Sequence, residues 1–340
     1  MYWYIKYPLY IIALLALLGI CGLLWRSCVH SLPRPAAAPP QPAAAPAERP
    51  AVSPALPDQP PPAAGTPQAA SAAKPAPPGT GVTEDQSQLL SRARQQLEAG
   101  MLVAARMIAA RLLNAPGTTE FSPIWRESAD IINSANRRLM NSSAPCPEKE
   151  RYVVVRGDSL KRIADKKYIS VGNLLRVNEG LRRDDGRDPI IHPGQAMLYI
   201  KGVWSIRVVK HEYILLLYRN GALYRTYDVS IGKENRTPTG IFRITDNIVN
   251  PDWWAPNGTV VPYGDPENIL GTRWLKLTPA EGTDASLTSY GIHGTWDEKS
   301  IGTGASAGCV RMLNRDVEEL FDFIPVAGGK TPAVRVVIEE

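Results

Sequence analysis

Residues 31–83 hold 16 of the chain's 31 prolines, together with 16 alanines and only five charges, Arg34, Glu48, Arg49, Asp58 and Lys74. Proline fixes φ and carries no N–H, so a segment this dense in it suits neither a helix interior nor a sheet ladder. Its side chains also bury too little apolar surface to offset the entropy of ordering the backbone. The stretch reads as a disordered Pro/Ala-rich linker, extended by at most about 3.1 Å per residue and reaching on the order of 150 Å. It divides the 340 residues into a short N-terminal piece and a foldable C-terminal part.

The short piece, 1–30, reads as a membrane anchor. From Tyr7 to Trp25 the run YPLYIIALLALLGICGLLW is uncharged, flanked by Lys6 and Arg26. Nineteen residues in a helix span about 28 Å, close to a hydrocarbon core of about 30 Å. A cleaved secretory signal fits less well, because the small-residue site AAAPP places proline after the cut. Lys6 on one side and Arg26 and Arg34 on the other do not orient the span.

The net charge is +5, with Lys and Arg scattered and no basic run interleaved with aromatics. Nucleic acid is therefore not an expected partner. The four cysteines, Cys21, Cys28, Cys146 and Cys309, form neither a spaced metal box nor a dense disulfide framework. No metal or cofactor is implied.

Helical periodicity begins at residue 84. Leu89, Ala93 and Leu97 fall on one stripe, and Val103, Met107 and Ile108 on a second after Gly100. A third helix is expected from about Ser122 to Met140, with Ile124, Ile131 and Ile132 inward. The spacing of 84–145 resembles one tetratricopeptide unit, and a single unit is fewer than stack stably. It serves as a spacer or docking bundle, or else carries a site for a protein partner.

Residues 148–202 follow a different pattern. A strand (152–155) leads to Gly157-Asp158-Ser159, a turn and N-cap that open a helix with Leu160, Ile163 and Ala164 inward. A second helix carries Leu174, Leu175 and Val177, and Pro193-Gly194-Gln195 turns into a closing strand, 196–200. This order resembles the LysM module, a βααβ fold that binds N-acetylglucosamine-containing glycans, with an enlarged charged loop at 182–188. The resemblance implies a sugar groove between the Gly157–Leu160 loop and the His192–Gln195 loop, formed by Gly157, Asp158, Ser159, Leu160, Pro193 and Gly194.

From residue 203 to 340 the chain turns to strands. Asn220-Gly221 between two β-rich runs signals a hairpin, and TPTGIFRI, NILGTRWLKL and AVRVVIE add strands. One helix is expected from Asn314 as N-cap, with Asp316, Glu318 and Glu319 in its first turn. Within this mainly-β domain sit Cys309, in GASAGCVRML, and His293, in SYGIHGTW. The separation is 309 − 293 = 16 residues, which a loop between neighbouring strands can close. A nucleophilic thiol needs a base or cation and a place for the oxyanion it creates. His293 supplies the first, and the amides of Gly308 and Cys309 are candidates for the second. Arg311 adds a cation, either to lower the thiol pKa or to bind a carboxylate. The alternative is a small buried hydrophobe beside a hydrogen-bonded loop histidine. Trp253 and Trp254 have two readings as well, as a cleft wall or as loop anchors.

HGT followed by S-x-G-C-V-R-M resembles the signature of the L,D-transpeptidase catalytic domain, with TPTG, NILG-x-R-W and Asn314-x-Asp316 in the family's order. The resemblance implies a thioacyl mechanism on peptidoglycan stem peptides. Cys309 is then the nucleophile and His293 its proton acceptor and later donor. Gly294 and Thr295 complete the histidine turn, Ser306 and Gly308 shape the loop, and Arg311 steadies the site or the donor's carboxylate. It also implies acylation by carbapenems. Ala307 departs from the family, which most often has histidine there. The expected protein is a single-pass envelope enzyme whose bulk faces the periplasm or wall. Its rivals are an L,D-carboxypeptidase and a catalytically lapsed wall-binding scaffold.

Overall fold

The computed structural model describes residues 84–178, 180–181, 189–328 and 330–340. The expected anchor, the linker and the 182–188 loop lie outside the described residues. Among the described residues no helix is long and apolar enough to cross a membrane.

Three helices come first, α1 (Glu84–Glu98), α2 (Leu102–Leu113) and α3 (Pro123–Met140). Gly100, at φ +77°, turns the chain between the first two. Ser122 caps α3 by accepting from the Trp125 N–H at 3.4 Å. Their shared core holds Leu90, Ala93, Ala105, Ala109, Leu112, Ile124, Ile131 and Ile132. Met107, expected inward, is 61% exposed. The face of α2 that packs is Ala105, Ala109 and Leu112, because small residues let the helices approach closely.

The glycan-type module pairs β1 (Lys149–Val153) antiparallel with β2 (Ala196–Ile200) around α4 (Leu160–Lys167) and α5 (Val171–Val177). The first strand starts and ends earlier than 152–155, although Val154 still donates to the Gln195 carbonyl at 2.9 Å. Ser159 caps α4 and Ser170 caps α5. The Asn178 carboxamide closes the module by donating to the Leu174 and Leu198 carbonyls and accepting from the Leu198 N–H.

The remaining strands build one eight-stranded mixed sheet. In chain order they are β3 (Trp204–Val209), β4 (Ile214–Arg219), β5 (Ala222–Asp228), β7 (Gly240–Val249), β10 (Arg273–Ala280), β11 (Tyr290–His293), β13 (Val310–Arg311) and β14 (Val334–Glu339). Across the sheet the order is β13-β11-β10-β7-β14-β3-β4-β5. Short pairs β6 (Ile231–Gly232) with β12 (Gly304–Ser306), and β8 (Trp253–Trp254) with β9 (Val260–Val261), lie outside it. Asn220 (φ +50°) and Gly221 (φ +79°) make the expected tight turn between β4 and β5. Alternation such as Val334, Val336 and Ile338 buries one face of the sheet. Helix α6 (Asn314–Phe323) covers that face with Val317, Leu320 and Phe323, all fully buried.

The three parts share one interior. Val177 and Ile200 of the glycan-type module and Met140 of α3 join the sheet's main core cluster with Trp204 and Phe323. Trp125 and Ala129 of α3 pack on Val209, Ile214 and Leu216.

Candidate active site

Strands β11 and β13 run parallel, with Ile292 opposite Val310 and His293 opposite Arg311. Residues opposite in register point to the same face, so His293 and Arg311 share one. Cys309 lies in the bend immediately before β13, with its thiol 3.9 Å from the Ser289 carbonyl at the start of β11. The crossover 294–309 thus brings the thiol beside the imidazole's strand. On the other side of β11, Trp274 of β10 pairs with His293, and their rings stack with centroids 5.7 Å apart.

His293 is 2% exposed. Its Nδ1 lies 2.6 Å from the Gly294 carbonyl oxygen. A carbonyl can only accept, so Nδ1 carries the proton and Nε2 is the basic nitrogen. Burial holds the imidazole down at about 4, helped by the Arg311 cation and opposed by the Gly294 and Leu270 carbonyls. It is neutral at pH 7. A Cβ at Gly294 would lie 2.1 Å from Asn314 Oδ1, so a larger residue would push that side chain off the turn. That oxygen accepts from the Thr272 N–H at 3.1 Å. Asn314 therefore does not cap α6 as expected. Leu313 occupies the N-cap position without a side-chain bond, and the Asn314 carboxamide is spent on bracing the histidine turn. Thr295, also buried, accepts from the Asp297 N–H at 3.1 Å.

Cys309 is half-buried and free, with Sγ 3.9 Å from the Ser289 carbonyl. Burial pushes the thiol up, against the Gly291 backbone and Arg311, which pull it down. The ground state thus has a neutral thiol and a neutral imidazole, not a preformed ion pair. Arg311 Nε is buried without a hydrogen-bond partner among the described residues.

The loop before the thiol is fixed by Ser306, whose Oγ accepts from the Gly308 N–H at 3.0 Å and donates to the Cys309 carbonyl at 2.6 Å. The Gly308 amide is therefore not the oxyanion donor expected from the sequence. Ala307 is exposed, and the loop keeps its bonds without a histidine there. Thr237, from TPTG, was missed as a site residue. Its hydroxyl donates to the Gly308 carbonyl at 2.8 Å. Trp253 is partly buried and Trp254 is 75% exposed.

The six residues implied for sugar binding fall on two adjacent loops, since Gly194 donates to the Val154 carbonyl at 2.8 Å. Gly157, Ser159, Pro193 and Gly194 are exposed. Leu160 is in the module's core, so it shapes the loop from beneath. Asp158 Oδ2 accepts from the Val155 N–H at 2.9 Å and the Tyr152 hydroxyl at 2.8 Å, which hold its carboxyl below the ordinary value. Among the described residues no group of His, Cys, Asp and Glu is arranged to hold a metal.

Two family models match this chain, the L,D-transpeptidase catalytic domain over 204–338 and the LysM domain over 152–198. YkuD of Bacillus subtilis, assigned as an L,D-transpeptidase, is 35% identical over 176 residues, covering 51% of this chain and 93% of its own length. YqjB of the same organism is 44% identical over 101 residues, covering 29% of this chain and 54% of its own, so the chain spans about half of that relative. YcfS of Escherichia coli is 25% identical over 204 residues, 53% of this chain and 58% of its own. The chain belongs to the L,D-transpeptidase family. It is an enzyme of that class, with a LysM domain ahead of the catalytic domain.

Proposed function

We propose that the protein is a membrane-anchored cysteine L,D-transpeptidase that cross-links peptidoglycan stem peptides through a thioacyl intermediate. The parallel pairing of β11, which ends at His293, with β13, which begins one residue after Cys309, supports this reading, together with the Cys309 thiol lying against the Ser289 carbonyl just before β11. His293 Nε2 takes the proton as Sγ adds to the carbonyl of the third stem residue. The tetrahedral oxyanion collapses, and the terminal D-alanine leaves with the proton that His293 returns to its amine. An acceptor amine then gives a proton to His293 and attacks the thioester, forming the new amide and restoring the thiol. Arg311 steadies the site or holds the donor's carboxylate.

The LysM module holds glycan through its two exposed loops. Peptidoglycan lies outside the cytoplasmic membrane, so residues 27–340 face the periplasm or wall, with 1–6 inside. Incubation of full-length protein with tetrapeptide muropeptides, followed by intact-mass analysis, tests the chemistry. A thioacyl adduct on Cys309 and dimers linked between third residues are expected. Absence of any adduct rejects the mechanism, and tripeptide as the dominant product makes the enzyme an L,D-carboxypeptidase.

A further inference from the structure

Thr237 is 1% exposed in the turn before β7, and its hydroxyl makes two bonds to the site's frame. Oγ1 accepts from the Gly232 N–H at 2.7 Å and donates to the Gly308 carbonyl at 2.8 Å. The roles are fixed, because an N–H only donates and a carbonyl only accepts. The Gly308 carbonyl and the Cys309 N–H belong to one planar trans peptide, so they point in opposite directions. Anchoring the carbonyl on Thr237 therefore turns the Cys309 N–H away from the interior. The orientation requires glycine at 308, which sits at φ +147° with Tyr290 where a Cβ would be, at 2.8 Å. Ser306 already takes the preceding amide, that of Gly308. Of the two loop amides, only Cys309's own N–H is thus left for an incoming carbonyl.

We infer that Thr237 is a positioning residue for acyl transfer, aiming the Cys309 N–H at the oxygen that becomes negative when Sγ adds to the substrate carbonyl. The inference rests on the reading of Cys309 as nucleophile. Addition forms the S–C bond and moves the carbonyl π pair onto oxygen, where the Cys309 N–H stabilises it. Collapse restores the carbonyl and releases the amine with the proton from His293. Thr237 touches none of these atoms and acts only through the peptide plane. A donor misplaced by about 1 Å costs on the order of 10²-fold in rate.

The test compares two reactions of one sulfur in the full-length protein. Acylation by a carbapenem passes through an oxyanion, whereas alkylation by iodoacetamide does not and reports only thiol access and ionisation. Thr237→Val removes both hydrogen bonds at similar volume, and Thr237→Ala does so without placing a methyl against the loop. Either should acylate about 10²-fold more slowly while alkylating within a few-fold of wild type. Thr237→Ser, which keeps the hydroxyl, should acylate at nearly the wild-type rate. Acylation undiminished in the valine and alanine forms overturns the inference. So does a parallel loss of both reactions, which marks a collapsed loop, or a serine form as slow as valine. A wild-type protein that gives no adduct on Cys309 instead fails the underlying reading of the nucleophile.

Discussion

Arg176 of α5 and Asp322 of α6 form a buried ion pair across the boundary between the LysM module and the catalytic domain, with Nη2 at 2.5 Å and Nε at 2.9 Å from Oδ2. Ser170 donates to the Asp322 carbonyl, and a Cβ at Gly172 would lie 2.7 Å from the Asp322 Cα. The module is thus docked on the last turn of the helix whose first residue, Asn314, braces the histidine turn. Eight residues of helix separate the two ends, about 12 Å. Arg176→Ala removes both guanidinium donors from a buried carboxylate and should cost about 3 kcal/mol. Cross-linking of polymeric peptidoglycan should fall more than that of soluble muropeptides, while carbapenem acylation holds. Equal loss on both substrates would mean that docking does not guide the substrate.

Cys309→Ser should keep the fold and lose the carbapenem adduct, since a hydroxyl ionises far less readily than a thiol. An adduct on the serine form at the wild-type rate would exclude Cys309 as nucleophile. His293→Ala should retain the thiol and slow acylation by about 10²–10⁴-fold. Intact-mass time courses give both answers, and an unchanged rate in the alanine form would move the base elsewhere.

What the sequence reveals is what lies close together along it. GASAGCVRML and SYGIHGTW draw attention to Cys309 and His293 because each is one short contiguous stretch, and the Ser159 cap that opens the first LysM helix is equally local. The contacts that escaped bridge distant segments. Thr237 meets Gly308 across 71 positions, and Arg225 on β5 meets Glu319 on α6 across 94. No local periodicity encodes such pairings. Asn314 misled because a helix-start asparagine usually caps, whereas here the close packing of Gly271 and Gly294 draws its carboxamide onto the Thr272 N–H. TPTG was a usable signal, since a threonine before a strand needs a partner for its buried hydroxyl.

His293 sets a pH dependence whose sign follows from its lowered folded-state value. Between the ordinary 6.5 and about 4 the unfolded chain binds the proton and the folded one does not. Stability from this group is full above about 6.5, falls as the pH drops through that window, and levels off below about 4. The gap corresponds to about 3 kcal/mol. Thermal melts from pH 7 to 4 should show a steeper loss in wild type than in His293→Gln, whose side chain does not titrate. Parallel curves would mean that His293 carries no such penalty. Acylation should also persist to about pH 5, because the base remains neutral there.

The helices before the LysM module finish the catalytic sheet, and their loss should be visible. β5 is an edge of the eight-stranded sheet. On α3, the Asn133 carboxamide accepts from the Thr226 N–H at 2.8 Å, and that of Asn136 donates to the Tyr224 carbonyl at 2.8 Å. Two side chains one helical turn apart thus occupy a strand edge that would otherwise be open for pairing. Beneath them Arg225, fully buried, donates to the Asn133 carbonyl at 3.2 Å and to Glu319 at 2.6 Å. A chain of residues 148–340 keeps both family domains but loses α3, exposing the edge and leaving Arg225 without the Asn133 carbonyl. It should aggregate or melt well below residues 84–340 in side-by-side scattering and thermal melts. Asn133→Leu with Asn136→Leu should weaken the longer chain in the same direction, by about 1–3 kcal/mol for each buried backbone group left unpaired. A 148–340 protein that stays monomeric and melts with the longer one would reduce the helices to a spacer.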